Sequence, residues 1–204
     1  MAGPASSLGI KWQRGSGTRW SDLGLLADHR DDRTDRHPAR TGGTIMASIV
    51  VRPDQGRSIS LGGMGVVFRL AGQDTGEAFA LVEHPVEPRR LTWPHVHTRE
   101  DEYSFVLEGV IGARVGDQVI EAADAGSYLC KPRGVPHAFW NPGPRPARLL
   151  EIISPPGFEA YFVELAEAGD PQRREELAQK YGVTYFSDWI PDLTARYNLK
   201  LLGL

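Results

Sequence analysis

One cysteine, Cys130, stands in 204 residues, so the chain cannot close an internal disulfide. That fits a reducing compartment. Missing too is any apolar run approaching the roughly 20 residues needed to span a bilayer. No charge of one sign dominates: a formal net charge of -3 offers no general attraction to nucleic acid or to an anionic membrane surface. Internal repeats, heptads and low-complexity tracts are absent. What is there, 41% hydrophobic and 24% charged residues, sits near the averages of soluble globular proteins. The length suits one well-cored domain with an appendage rather than two ordinary domains. The expectation is a cytoplasmic protein with neither nucleic acid nor membrane as partner.

The chain is not uniform. Residues 1–45 are crowded with Gly, Ser, Thr, Arg and Asp ("DHRDDRTDRHPARTGG"), and their apolar residues keep no period. Such a segment buries too little apolar surface to offset its ordering entropy, so a poorly ordered extension is expected. It has no apolar core of a signal peptide, and Asp28, Asp31, Asp32 and Asp35 speak against a transit peptide. Folded-looking sequence begins at Met46, which is expected to be the biological start, with residues 1–45 an artefact of an upstream start.

From Ser48 to about Ser154 short strand-like runs alternate with turn signals, the pattern of an all-β barrel or sandwich. "SIVV", "MGVVFRL", "AFALVEH" and "ARLLEII" read as strands, and Gly116-Asp117 inside "ARVGDQVI" reads as a tight hairpin turn. Cys130, in "SYLCK", reads as a small core residue. After Pro155-Pro156 the period changes. Phe158, Phe162 and Leu165 share one helix face. Asp170 as N-cap, Pro171 at the first turn and Gly182 past the end frame a second helix. "SDWIPDLTARYNL" predicts a third, opened by Ser187 or Asp188. The division expected is a barrel over 46–155 and a helical segment over 156–204 that packs on it.

Chemistry concentrates in "PHVHTREDEYSFVLEG", residues 94–109. Residues i and i+2 of a strand point to one face, so His95 and His97 project together and can converge on one ion. Glu100, Asp101 and Glu102 are the carboxylates at hand. Glu102 is chosen, because the other two sit where the chain must turn, while Glu102 opens the next strand-like run and is expected beside the histidines on a neighbouring strand. Glu108-Gly109 reads as the following hairpin turn, with Gly109 at positive φ. In "GSYLCKPRGVPHAFWN", residues 126–141, His137 is the only later histidine and so the only further imidazole ligand available. His29, His37 and His84 lack such a frame and read as ordinary histidines. Alternation puts Trp93 with His95 and Phe139 with His137, which makes both possible pocket-lining residues.

Together the two stretches resemble the two cupin motifs. The first runs His95-x-His97, four residues, Glu102, six residues, Gly109; the second runs Gly126, five residues, Pro132-x-Gly134, two residues, His137, three residues, Asn141. The resemblance covers residues 48–155. It implies a mainly β fold, a small antiparallel double-stranded β-helix or jelly-roll barrel, with C-terminal α-helices outside the defining motifs. It also implies a metal ion held inside by His95, His97, Glu102 and His137.

Nitrogen and carboxylate donors suit one divalent Fe, Mn, Ni, Co, Cu or Zn. An all-His/Glu site inside a barrel differs from a closed, cysteine-rich structural zinc site and points to chemistry or ligand binding. Within the cupins, "HTREDE", "LEG", "KPRGVPHAFWN" and "ISPPGFEAYF" look like the bacterial quercetin-dioxygenase-like group. That implies dioxygenase chemistry on a small oxygenated aromatic or enolisable compound, with Glu102 also placed as a catalytic base. Two alternatives stand beside it: a lyase, isomerase or cyclase using the ion as a Lewis acid, and a non-catalytic small-molecule-binding protein. By resemblance to cupin relatives a homodimer is expected, with "SIVVRP" as one strand that could join the copies.

Overall fold

The computed structural model describes residues 50–203. The N-terminal extension and the start at Met46 therefore lie outside the described residues. Among those described, thirteen strands follow in order. They are β1 (Ser58–Ser60), β2 (Gly65–Leu70), β3 (Ala80–Val86), β4 (Arg90–Leu91), β5 (His95–His97), β6 (Asp101–Glu108), β7 (Val110–Val115), β8 (Gln118–Asp124), β9 (Tyr128–Lys131), β10 (His137–Trp140), β11 (Ala147–Ser154), β12 (Val183–Tyr185) and β13 (Lys200–Leu201). Three helices, α1 (Glu159–Glu167), α2 (Pro171–Tyr181) and α3 (Ile190–Tyr197), occupy the last quarter. None is long and apolar enough to cross a membrane.

The strands form two sheets. The first has the order β1-β2-β3-β11-β6-β9. In the second, β10 lies at the centre with β7 and then β8 on one edge. Its other edge is shared by β5 and β4, at His137↔His95 and Trp140↔Leu91, and these in turn pair with β12 and β13. All pairings are antiparallel except β13 with β4. Between β4 and β5 the chain passes through Thr92, whose hydroxyl accepts from the Phe139 N–H and donates to the Phe139 carbonyl, both at 3.0 Å. The Thr92 backbone N–H also donates to the Phe139 carbonyl at 3.0 Å, so the side chain supplements the ladder just before Pro94.

Two-residue alternation explains which side chains fill the space between the sheets. In β3, Ala80, Val82, His84 and Val86 are buried; in β11, Ala147, Leu149, Glu151 and Ile153 are. The exception is β10, buried at all four positions. His137 and Phe139 face inward, while Ala138 and Trp140 join a second apolar cluster with Leu91, Leu193 and Leu199 beneath α3. A strand covered on both faces loses its alternating pattern.

Several expectations change. Val50 and Val51 of "SIVV" are exposed and belong to none of the strands above. Cys130 is exposed on β9 rather than in the core, because it alternates with the buried Lys131. Gly109 does take positive φ (74°), but no hairpin forms there: β6 belongs to the first sheet and β7 to the second. Gly109 is a corner between sheets, and a Cβ on it would come within 3.0 Å of Ala147. Gly116-Asp117 does close the β7–β8 hairpin, with Val115 opposite Gln118. The helical segment also supplies β12 and β13, extending the second sheet. For α2, Asp170 accepts from Arg173 N at 2.8 Å, and Gly182 ends it at φ 69°. α3 begins at Ile190, slightly later than expected.

Candidate metal centre

His95 and His97 share the inward face of β5, and His137 is brought alongside by its register with His95 on β10. The ring centroids lie 4.4 Å (His95–His137), 4.9 Å (His95–His97) and 5.5 Å (His97–His137) apart. Nδ1 of His95 donates to the Trp93 carbonyl (2.7 Å) and Nδ1 of His137 to the Val135 carbonyl (3.1 Å). In each case the acceptor is two residues upstream, and the bond leaves Nε2 free to face the interior. His97 Nδ1 faces Glu100 Oε2 at 3.6 Å, beyond hydrogen-bond range, and its Nε2 also points inward.

Glu102 reaches the same point from β6, across the barrel in the first sheet, not from a strand neighbouring the histidines as expected. Its Oε1 lies 3.4 Å from His97 Nε2 and its Oε2 3.2 Å from His137 Nε2. One potential ligand atom from each of His95, His97, Glu102 and His137 falls within 4.8 Å of the others. Both nitrogens of His97 and Nε2 of His137 are buried with no hydrogen-bond partner. Leaving such groups unsatisfied costs about 1–3 kcal/mol each. A divalent cation is the group whose coordination would satisfy these inward lone pairs at once, so the residues fit a metal.

Protonation states agree with that fit, since a ligating imidazole must be neutral. Burial, with the neighbouring His137 and His97, holds His95 well below the usual histidine range. Burial likewise lowers His137, against the pull of Glu102. Burial alone would raise Glu102, but Lys131, His97 and His137 outweigh it and keep the carboxyl well below its ordinary value.

The charged groups behind Glu102 were not singled out by sequence. Lys131, on β9, donates to Glu102 Oε2 (2.9 Å) and to Glu151 Oε2 (2.8 Å) on β11. Ser104 donates to the other oxygen of Glu151 at 2.9 Å. All four are buried. Burial works against the Lys131 ammonium, yet Glu102 and Glu151 keep its pKa raised. Glu151 itself is pushed up to about 7 by burial, despite Lys131. One ammonium therefore serves two carboxylates, and the one nearer the histidines is the more firmly ionised.

Of the remaining acids, Asp101 accepts from the Arg133 backbone N–H and guanidinium (both 2.8 Å), pinning the turn before His137 to β6. Asn141 fastens the far end of that motif, donating to the Val86 and Arg145 carbonyls at 3.1 and 2.8 Å. His84 is a further surprise. It is buried, donates from Nδ1 to the Gly65 carbonyl (3.1 Å), and has its pKa lowered to about 4 by burial. It lines the barrel cavity, where the alternation of "ALVEHPV" would have placed it.

That cavity is small, with about 50 Å³ of room for water-sized molecules. His95 and Glu102 reach its wall, and Trp93 and Phe139 are among its lining residues. Phe158, Tyr161 and Phe162 of the α1 region close one side, and Tyr185 of β12 and Leu202 after β13 contribute from the C-terminal segment. The Tyr161 and Tyr185 hydroxyls meet at 2.9 Å.

Comparison with known proteins agrees with this architecture. Residues 83–153 match the family model described as "Cupin domain". That span runs from β3 to β11 and includes all four converging residues. Residues 83–153 thus carry a cupin domain, and the two sheets around them are consistent with a cupin jelly-roll. Among solved structures, KdgF from a Halomonas species is 14% identical, with a TM-score of 0.48, 53% of this chain covered and 96% of that one. A predicted oxalate decarboxylase from Thermotoga maritima is 21% identical (TM-score 0.47; 52% and 98% covered). The polyketide cyclase RemF from Streptomyces resistomycificus is 28% identical (TM-score 0.45; 53% and 80% covered). No curated protein matches the chain.

Proposed function

We propose that this protein is a metal-dependent enzyme of dioxygenase type, acting on a small oxygenated aromatic or enolisable compound at the His95, His97, Glu102 and His137 cluster. The observation that carries the reading is the convergence of four ligand atoms within 4.8 Å, with buried imidazole nitrogens left unsatisfied. A divalent ion there would supply Lewis acidity and, if redox-active, a route for electrons between substrate and dioxygen.

The chain's own residues set the terms. Trp93, Phe139, Phe158 and Phe162 give the cavity an aromatic lining suited to a flat substrate and unfavourable to bulk water. Lys131 occupies one oxygen of Glu102 and keeps the carboxyl ionised. So strongly acidic a group is a poor proton acceptor and a good ligand. Glu102 is therefore read as holding the ion, and the catalytic-base role passes to groups on the wall. His84, neutral at physiological pH, and the Tyr161–Tyr185 hydroxyl pair stand there.

Those wall groups favour the second reading, a lyase, isomerase or cyclase in which the ion polarises the substrate and a protein group moves a proton without dioxygen. The test is metal analysis of protein purified without added metal, beside oxygen uptake on flavonols, catechols and diketones. One equivalent of a redox metal with substrate-dependent oxygen consumption supports the dioxygenase. One equivalent of metal with turnover but no oxygen uptake moves the assignment to Lewis-acid chemistry. No metal after reconstitution overturns both.

A further inference from the structure

A second hollow opens beside the barrel cavity and shares Trp93, Tyr161, Leu165 and Tyr185 with it. Its remaining wall is α2: Pro171, Arg174, Glu175 and Ala178. The tyrosine pair borders both spaces, and α2 flanks the second of them.

Arg174 is the cation of that vestibule, and its guanidinium makes no hydrogen bond or ion pair among the described residues. Its Nε is buried without a partner. The other helix arginine, Arg173, is engaged by Glu164 and Glu176. Glu175, the acid of the same wall, is held by Gln179 (3.1 Å) one turn further on. Two hydroxyls joined by one hydrogen bond, Tyr161 and Tyr185, leave one O–H donor to spare beside it. Arg174 is close enough to act electrostatically on the Tyr161 phenol. Beside Glu175, whose Oε1 already accepts from Gln179, the hollow thus offers a guanidinium fork with no partner of its own and a spare hydroxyl donor. A carboxylate is the group that such a fork pairs with in two parallel hydrogen bonds.

We propose that Arg174 binds the carboxylate of an anionic substrate in this vestibule, while the substrate's oxygen-bearing end reaches the histidine–glutamate cluster. The inference deepens the proposed function by naming the substrate class, and it rests on that reading for the role of the cluster. Arg174 then sets specificity: neutral analogues fit the aromatic cavity but forgo the anchoring bonds.

The experiment uses the full chain and two probes of nearly one shape, 3-hydroxybenzoate and 3-hydroxybenzyl alcohol. Binding is followed by tryptophan fluorescence, since Trp93 lines the hollow, and metal content is measured in the same samples. The wild-type protein is expected to bind the acid about tenfold or more tightly than the alcohol. Arg174→Gln is expected to lose about 10- to 100-fold for the acid and to bind the alcohol nearly unchanged. Arg174→Lys, which keeps the charge but loses the fork, is expected to recover part of the preference. Equal binding of the two probes by the wild type, no binding of the acid at millimolar concentration, or a preference that survives Arg174→Gln each overturns the proposal. A metal-free protein with an Arg174-dependent preference would instead overturn the proposed function and leave the anion site standing. A metal-loaded protein with no preference would do the reverse.

Discussion

The two sheets bury polar groups at the same point by opposite means. The second sheet delivers three imidazoles, two of them fixed by bonds to backbone carbonyls two residues upstream. Each of those is oriented by its own strand and needs no other side chain. The first sheet delivers Glu102, Lys131, Glu151 and Ser104, which hold one another across three strands. One half of the centre is a set of locally fixed ligands, the other a network that stands or falls together. The difference predicts that damage stays local on the histidine side and spreads on the charged side.

The sharpest way to break the comparison is Lys131→Met, which strips the shared cation from two buried carboxylates. Removing one partner of a buried ion pair costs about 3–5 kcal/mol. A urea midpoint close to wild type would show that the network does not hold the first sheet. His84 supplies the next effect, through pH. Its unfolded pKa is near 6.5 and its folded value about 4. Above 6.5 both states are neutral and stability is full. As pH falls through that window only the unfolded state gains the proton, and up to about 3 kcal/mol is lost. Because His95 and His137 add to the slope and Glu151 opposes it, the readout is the difference: between pH 7 and 4 the wild type should lose up to about 3 kcal/mol more than His84→Leu in denaturant titrations.

Smaller again is Glu100→Gln, which removes the charge facing His97 Nδ1. Metal affinity should fall about tenfold while the fold survives, as for other groups that orient a ligating histidine; competition with a chromophoric chelator would read it. An unchanged affinity would leave His97 oriented by its strand alone. The smallest is Asp170→Ala, at about 1 kcal/mol from the lost N-cap of α2. Because α2 lies outside both halves of the centre, its melting shift should leave metal content untouched.

Spacing made the histidine side legible. His95, His97 and His137 need only a two-residue period and a register, and the glycines at 109, 126 and 134 all take positive φ. Helix α2 was legible for the same local reason, from Asp170, Pro171 and Gly182. The charged side was written in the same alternation but hidden by chemistry. Lys131, Glu151 and His84 fall on inward positions of β9, β11 and β3, yet a lysine or glutamate on a strand is ordinarily solvated. Only the three-dimensional meeting of β6, β9 and β11 makes each the partner that permits the others. Sheet membership was illegible for a related reason. Glu108-Gly109 looks the same locally whether the chain folds back on its own sheet or crosses to the next, and burial against Ala147 decides it.

The closure of the barrel mouth has a consequence in time. Leu202 lines the cavity, its carbonyl accepts from Trp93 Nε1 at 3.2 Å, and β13 pairs with β4 more than a hundred residues upstream. On a ribosome, every residue of the histidine–glutamate cluster emerges long before this last piece of wall. The ligands are thus all synthesised before the last piece of the cavity wall that surrounds them.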